Sequence, residues 1–335
     1  MPNTNVSFGG GTLIIPGAYY QDQIQNFVNT GTPTPPVIVL GYGYGGAPQT
    51  LYSFASAMDF MNAVRGGPVS AFIPFLFNPG PSIGGASTIT YINVGENTQS
   101  TYSVSGVGGV VANITSVDYG LPSNQIQIQI SPISVGSLTA VNATIYDGYS
   151  GQEVIGNYLG VPMQLAYTGT ATGGVSYSAS YSGLSVSSPN SGESFSVNFG
   201  NYQTVSSVIE YLNGTGFYSA NTLSSTNGAM PSSGLISSNS ALPSPSGNAY
   251  AFVGVPAQGN DFVYWLNTSA ANLVQATIGN LANWPPFGTG FQHFTGAQSI
   301  PPTNADYANA FNLALTTPGW VIFVVVEYGK NSGRK

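Results

Sequence analysis

The sequence predicts an α+β protein of several domains: an α/β domain interrupted by a large β-rich insertion of sandwich or barrel type, with an extended N-terminal arm. Three observations lead there. Continuous apolar runs bounded by turn residues, at 37–40 and 320–326, stand near the two ends of the chain, as buried strands do. Stripes at helical spacing accompany them. Between the two ends the pattern alternates, most regularly where Ile126, Ile128 and Ile130 are separated by glutamines. The divisions read from these changes are an arm over 1–25, a first α/β part over 26–96, a β-rich insertion over 97–200, a mixed insertion with loops over 201–285, and a return to the α/β domain over 286–335.

Taken in order, the arm has few packing residues beyond Leu13, Ile14, Ile15, Tyr19 and Tyr20, and Gly9, Gly10, Gly11, Pro16 and Gly17 punctuate it. Such a segment has no core of its own and must pack on something else. Val37, Ile38, Val39 and Leu40 follow three prolines and read as a buried strand. Ser53 is placed to N-cap a helix with the stripe Phe54, Ala57, Met58, Met61 and Val64, stopped by Gly66, Gly67 and Pro68. A shorter apolar stretch at 71–77 and a strand at 88–94 come next. Short β-like segments rich in Ser, Thr, Gly and Tyr fill the chain to about 200. Val205, Val208, Ile209 and Leu212 have helical spacing, 222–248 reads as loop, and 262–281 has room for a helix. Thr303 or Asn304 is placed to cap a helix carrying Tyr307, Ala310, Phe311 and Leu313, before the last strand.

Charge is the unusual feature. Of 335 residues, four are Lys or Arg and eleven Asp or Glu, for a net charge of −7. The cations are Arg65, Lys330, Arg334 and Lys335; three of the four lie in the last six residues, which suits a tail better than a groove, so nucleic acid is disfavoured as a partner. So neutral a surface has little like-charge repulsion to keep copies apart, which favours association. Few carboxylates also means little folding energy lost on protonation, so the composition predicts acid tolerance. There is no cysteine, hence no disulfide or thiolate metal site. The apolar runs fall far short of the roughly 18 residues of a membrane span.

Two motifs invite a catalytic or cofactor reading. Gly41, Gly43 and Gly46 match G-x-G-x-x-G after a strand, but Pro48 and further loop residues precede any helix, so no helix N-terminus meets a pyrophosphate. Gly80, Ser82 and Gly84 match G-x-S-x-G, with Asp261 and His293 following in hydrolase order. Asn78, Pro79, Gly80 and Pro81 before the serine make it a loop, not a strand-to-helix elbow. His293, between Phe291 and Phe294, reads as a packing residue. The acids show no paired spacing for catalysis or a metal cage. No catalytic, cofactor or metal residue is therefore assigned, and no enzyme is expected.

Several segments in a shared order resemble the contractile tail sheath family of phages, R-type bacteriocins and related injection systems. They are the opening from Gly11 through Pro16, Gly17, Ala18, Tyr19 and Tyr20; the strand, glycine loop and helix from Val37 through Pro48, Gln49 and Thr50 to Arg65; and the strand ending in Asn93 and Val94, where the family has Arg-Val. Asp118 to Ile128, Tyr202 to Val205, Phe294 to Ala297, Pro302 to Ala308 and the last strand are similar to later landmarks. The resemblance implies a virion tail protein, assembled in the host cytoplasm into a helical sheath around a tail tube, contracting passively without a nucleotide. Its implied partners are copies of itself, the tail tube protein, and baseplate and tail terminator proteins. Leu13, Ile14, Ile15 and Tyr19 are the implied inter-subunit contacts. Family members continue about a hundred residues past the last strand, so a C-terminal sheath domain is expected to be missing here. A second structural reading, as a capsid, spike or surface-layer component, shares the low charge and the β-rich middle.

Overall fold

The computed structural model describes residues 6–8, 11–13, 37–80, 84–106, 108–136, 138–235, 237–242, 251–253, 260–279, 290–317 and 322–326. Two compact units are present, Met1–Thr98 with Gln298–Lys335, and Gln99–Ala297.

In the first unit, β1 (Val6–Phe8) pairs antiparallel with β2 (Gly11–Leu13). Strand β3 (Val37–Gly41) is apolar throughout because both its faces are covered: Val39 turns to one cluster, Ile38 and Leu40 to the other. Strand β4 (Leu51–Phe54) follows, then helix α1 (Ala57–Val64). Here the structure corrects the expected helix start. Ser56 is the N-cap, its side chain accepting from the Asp59 amide, while Ser53 and Phe54 lie in β4. The helix ends at Arg65, held left-handed at φ 56°. The apolar stretch at 71–77 is a 3₁₀ turn, Pro68–Ala71, running into the short helix α2 (Ile73–Phe77). Strand β5 (Ile89–Asn93) then pairs parallel with β3 and antiparallel with β4.

The second unit is mainly antiparallel. Strands β6 (Gln99–Gly106) and β7 (Gly109–Tyr119) form a hairpin. Strands β8 (Ile126–Val135) and β9 (Leu138–Asp147) form another, with Ile126, Ile128 and Ile130 on its buried face. Strand β10 (Glu153–Leu159) extends the β8–β9 sheet, and β11 (Met163–Tyr167) starts the next. A further sheet holds β12 (Ser176–Ser180), β13 (Gly183–Ser187) and β14 (Phe195–Asn198), with Tyr177, Leu184, Val186 and Val197 inward and serines outward. Helix α3 (Val205–Gly214) is capped by Thr204 and buries Val205, Val208 and Leu212. Strand β15 (Tyr218–Thr222) pairs with β11. The stretch at 222–248, expected as loop, includes two 3₁₀ turns, Ser225–Ala229 and Ser232–Gly234, and β16 (Ser237–Ala241) on the edge of β12. Strand β17 (Ala251–Val253) pairs with β11. Helix α4 (Asn260–Thr268) precedes β18 (Val274–Ile278), which pairs with β7. Trp265 of α4 lies so close over Gly156 that a Cβ there would stand 2.7 Å from its ring. Strand β19 (Gln292–His293) joins the edge of β8. One continuous core, including Phe262, Trp265 and Phe294, unites these sheets and helices.

The chain returns to the first unit beside its point of departure, with the Thr98 amide donating to the Gln298 carbonyl at 3.0 Å. Helix α5 (Asn304–Ala314) starts with a capping box between Thr303 and Asp306. It buries Ala310 and Ala314, whereas Phe311, expected on the packed stripe, is 42% exposed and meets Phe323 at 4.9 Å between ring centroids. Strand β20 (Ile322–Val326) pairs parallel with β3 in full register, giving the order β20-β3-β5-β4. Phe60, Val64 and Ile73 from α1 and α2 cover one face of this sheet, and α5 covers the other. Burying one such phenylalanine is worth on the order of 2–3 kcal/mol.

Candidate functional site

In an open α/β sheet a ligand is expected beyond the carboxyl ends of the parallel strands, and the glycine loop stands there, directly after β3. Its interior is filled by the protein's own atoms. Asn93, at the end of β5 and fully buried, donates from Nδ2 to the carbonyl oxygens of Gly45 and Gly46 at 3.0 Å, and its Oδ1 accepts from the amides of Gly43 and Gly95 at 3.3 and 3.0 Å. Asn97 adds a second amide, donating to the Gly43 and Tyr44 carbonyls at 2.9 and 3.2 Å.

The loop amides that would cradle a phosphate are engaged elsewhere. The Tyr44 amide donates to the Gly66 carbonyl at 3.0 Å, the Gly45 amide to the Val64 carbonyl at 2.6 Å, and the Ala47 amide to the Tyr52 hydroxyl at 2.8 Å. What faces the loop is the C-terminal end of α1, whose carbonyls and partial negative charge repel an anion. No room remains either: a Cβ on Gly43 would stand 2.2 Å from Val64 Cγ1 and 2.6 Å from the Tyr91 hydroxyl. Burial first, then neighbouring Tyr52, pushes the Tyr91 phenol well above its ordinary range, so it stays a donor, to the Gly41 carbonyl at 3.0 Å. The loop is a structural joint. Asn93 and Asn97 make it so, and the sequence reading missed both, although two asparagines just beyond a buried strand were the available signal.

The hydrolase motif does not assemble among the described residues. Gly80 is an isolated bridge residue and Ser82 lies outside them. Asp261 is buried at the start of α4, accepting from the Gly160 amide at 3.1 Å. His293, read as a packing residue, is exposed on β19, because the strand turns it outward while Phe294 takes the core position. No group of three His, Asp or Glu fit to hold a metal, and no helix long and apolar enough to cross a membrane, occurs among the described residues.

One exposed apolar surface of the first unit lies at its sheet edge. Among the described strands β20 has a neighbour on one side alone, and Ile322 and Val325 are 45% and 55% exposed. Of the residues expected to touch neighbouring subunits, Leu13 ends β2, and Ile14, Ile15 and Tyr19 lie outside the described residues.

The chain is a mixed α+β protein whose glycine loop is filled by its own atoms. Comparison with known proteins narrows this. The tail sheath protein of Bacillus phage SP01 is 25% identical over 232 residues, 66% of this chain and 39% of the relative. The chain is thus similar to a phage tail sheath protein and spans about two fifths of that relative's length. Two solved structures are also similar: a sheath tail protein from Listeria innocua (TM-score 0.40, 11% identity, 88% of this chain and 42% of that one) and one from Desulfitobacterium hafniense (TM-score 0.25, 15% identity, 42% and 31%). No family model matches.

Proposed function

We propose that this chain is a structural subunit of a contractile tail sheath, polymerising helically around a tail tube and contracting passively to drive injection. The observation that carries the reading is the similarity to a phage tail sheath protein over two thirds of the chain. The β20 edge supports it: among the described strands it has a neighbour on one side alone, beside the exposed Ile322 and Val325, and a strand so placed can take another beside it. The engaged amides of the glycine loop agree with a motion that needs no nucleotide. In this reading the subunit belongs to the virion tail and is assembled in the host cytoplasm. Its partners are further copies, the tail tube protein, and baseplate and tail terminator proteins. Leu13, Ile14, Ile15 and Tyr19 form contacts between subunits, and contraction is a rigid-body rearrangement about flexible connections.

Electron microscopy of the purified chain, with and without residues 1–20, tests this. Expected are helical tubes from the full chain and folded, unassembled protein after the deletion. Flat lattices or closed shells would replace the sheath reading with a surface-layer or capsid one. Tubes formed by the truncated chain would remove the arm from the contact.

A further inference from the structure

Residues 99–297 contain no lysine and no arginine. Their carboxylates are Asp118, Asp147, Glu153, Glu193, Glu210 and Asp261, and their one imidazole is His293. Domains unfold in acid for two reasons: their cations are left repelling one another, and carboxylates held in the native state must be protonated. The first has nothing to act on here, since strong acid leaves this unit with His293 as its single side-chain cation.

The second reaches few groups, and it bears on the caged Glu193 and the sparsely bonded Asp261 in opposite senses. Glu193 sits in a cage of neutral donors. Its Oε2 accepts from the hydroxyls of Tyr167 and Ser188, and its Oε1 from the Thr170 amide and hydroxyl and from Asn190 Nδ2, at 3.1–3.2 Å for all but Tyr167. The titratable groups on the elements around it are phenols: Tyr167 on β11, Tyr177 on β12, Tyr218 on β15, and Tyr211 on α3, beside Glu210. Asp261 is buried with a single amide, that of Gly160, donating to its Oδ2, and a Cβ on Gly234 would stand 2.5 Å from its Oδ1. The elements packed on it carry Glu153 and Tyr158 (β10) and Tyr264 (α4), and the turn Ser232–Gly234 carries no titratable group. A carboxyl so buried and so sparsely bonded is at home uncharged.

We infer that the unit Gln99–Ala297 is built to stay folded in strongly acidic surroundings, its charge vanishing rather than reversing as the pH falls. Three acids of the unit are buried: Asp147, which accepts from the Tyr149 amide at 3.1 Å and the Ser150 hydroxyl at 2.6 Å, and Glu193 and Asp261, which divide the range. Asp261, pushed up to about 6 by burial, is already neutral in mild acid and loses nothing further as the pH falls, whereas Glu193, which the Tyr167 hydrogen bond first of all holds down at about 2, gives a contribution that is present above the ordinary carboxylate range and is lost as the pH falls through about 2.

Hydrogen exchange of the full chain, read by mass spectrometry on peptides from β7, β8 and β9, tests this at low ionic strength from pH 7 to pH 1.5. Protection corrected for intrinsic rates is expected to persist to about pH 2, where Glu193 becomes neutral. Complete exchange of these peptides by pH 3 would overturn the proposal. A variant with lysines at exposed positions, Ser178→Lys, Asn201→Lys and Gln275→Lys, is expected to lose protection about one pH unit higher. Gln275→Lys alone is expected to move it less, in the same direction. An unchanged midpoint in both would show that the missing cations are not the cause.

Discussion

Asn93 Nδ2 stands 3.0 Å from the carbonyl oxygen of Gly45, and this contact decides what the glycine loop is for. A loop that points its carbonyls inward at an asparagine cannot also point its amides at a ligand. The same side chain ties β5 to the loop after β3, so it fixes the carboxyl end of the sheet.

Replacing Asn93 by leucine, close in size, removes the donors and acceptor together and leaves buried loop carbonyls unsatisfied. Each orphaned group costs about 1–3 kcal/mol, and a net loss on the order of 3 kcal/mol is expected. Urea unfolding of the variant measures it. A loss under about 0.5 kcal/mol would mean that water replaces the amide.

Gly43→Ala places a methyl 2.2 Å from Val64 Cγ1. Overpacking of this kind costs about 1–3 kcal/mol, and adding Val64→Ala is expected to return part of the loss by opening the space. Gly214→Ala, at the end of α3 with nothing within 4 Å of the new methyl, is the contrast. It is expected to be neutral or to stabilise by up to about 1 kcal/mol. Thermal melts of the three variants separate the cases.

Much of this architecture was legible because burial on two faces leaves a mark in the chain. Val37 to Leu40 are apolar in succession since Val39 faces α1 and Ile38 faces α5. Ile126, Ile128 and Ile130 alternate since one face of β8 is covered. Failures occurred where a tertiary partner outweighed the local signal. Ser53 and Ser56 are equally good caps by type, and pairing of β4 with β5 takes Ser53 and Phe54 into a strand. Strand β16 has no apolar signal because a serine-rich edge strand needs none. The asparagines of the glycine loop look like any loop residues until their carbonyl partners, some fifty positions earlier, are brought beside them.

Asp261→Asn keeps an acceptor for the Gly160 amide and removes the charge. The folded-state value of Asp261, about 6, lies above the unfolded one of about 4. Its contribution is therefore fully present below about pH 4 and is lost as pH rises through about 6, by about 3 kcal/mol in all. The variant is expected to be more stable than the parent at pH 8 and no more stable at pH 4. Paired urea titrations at the two pH values check the sign, and an equal change at both would assign the effect to packing.

The open edge makes the last prediction. Val325 projects from β20 where the side chain is more than half exposed, so a lysine there buries no charge in the folded subunit. Stability of Val325→Lys is expected within about 0.5 kcal/mol of the parent. An added strand would have to desolvate that ammonium, and lysine is what natural sheet edges use to refuse such pairing. Sedimentation of parent and variant at equal concentration should show association lost and the melting temperature kept. Association unchanged in a folded variant would move the contact away from this edge.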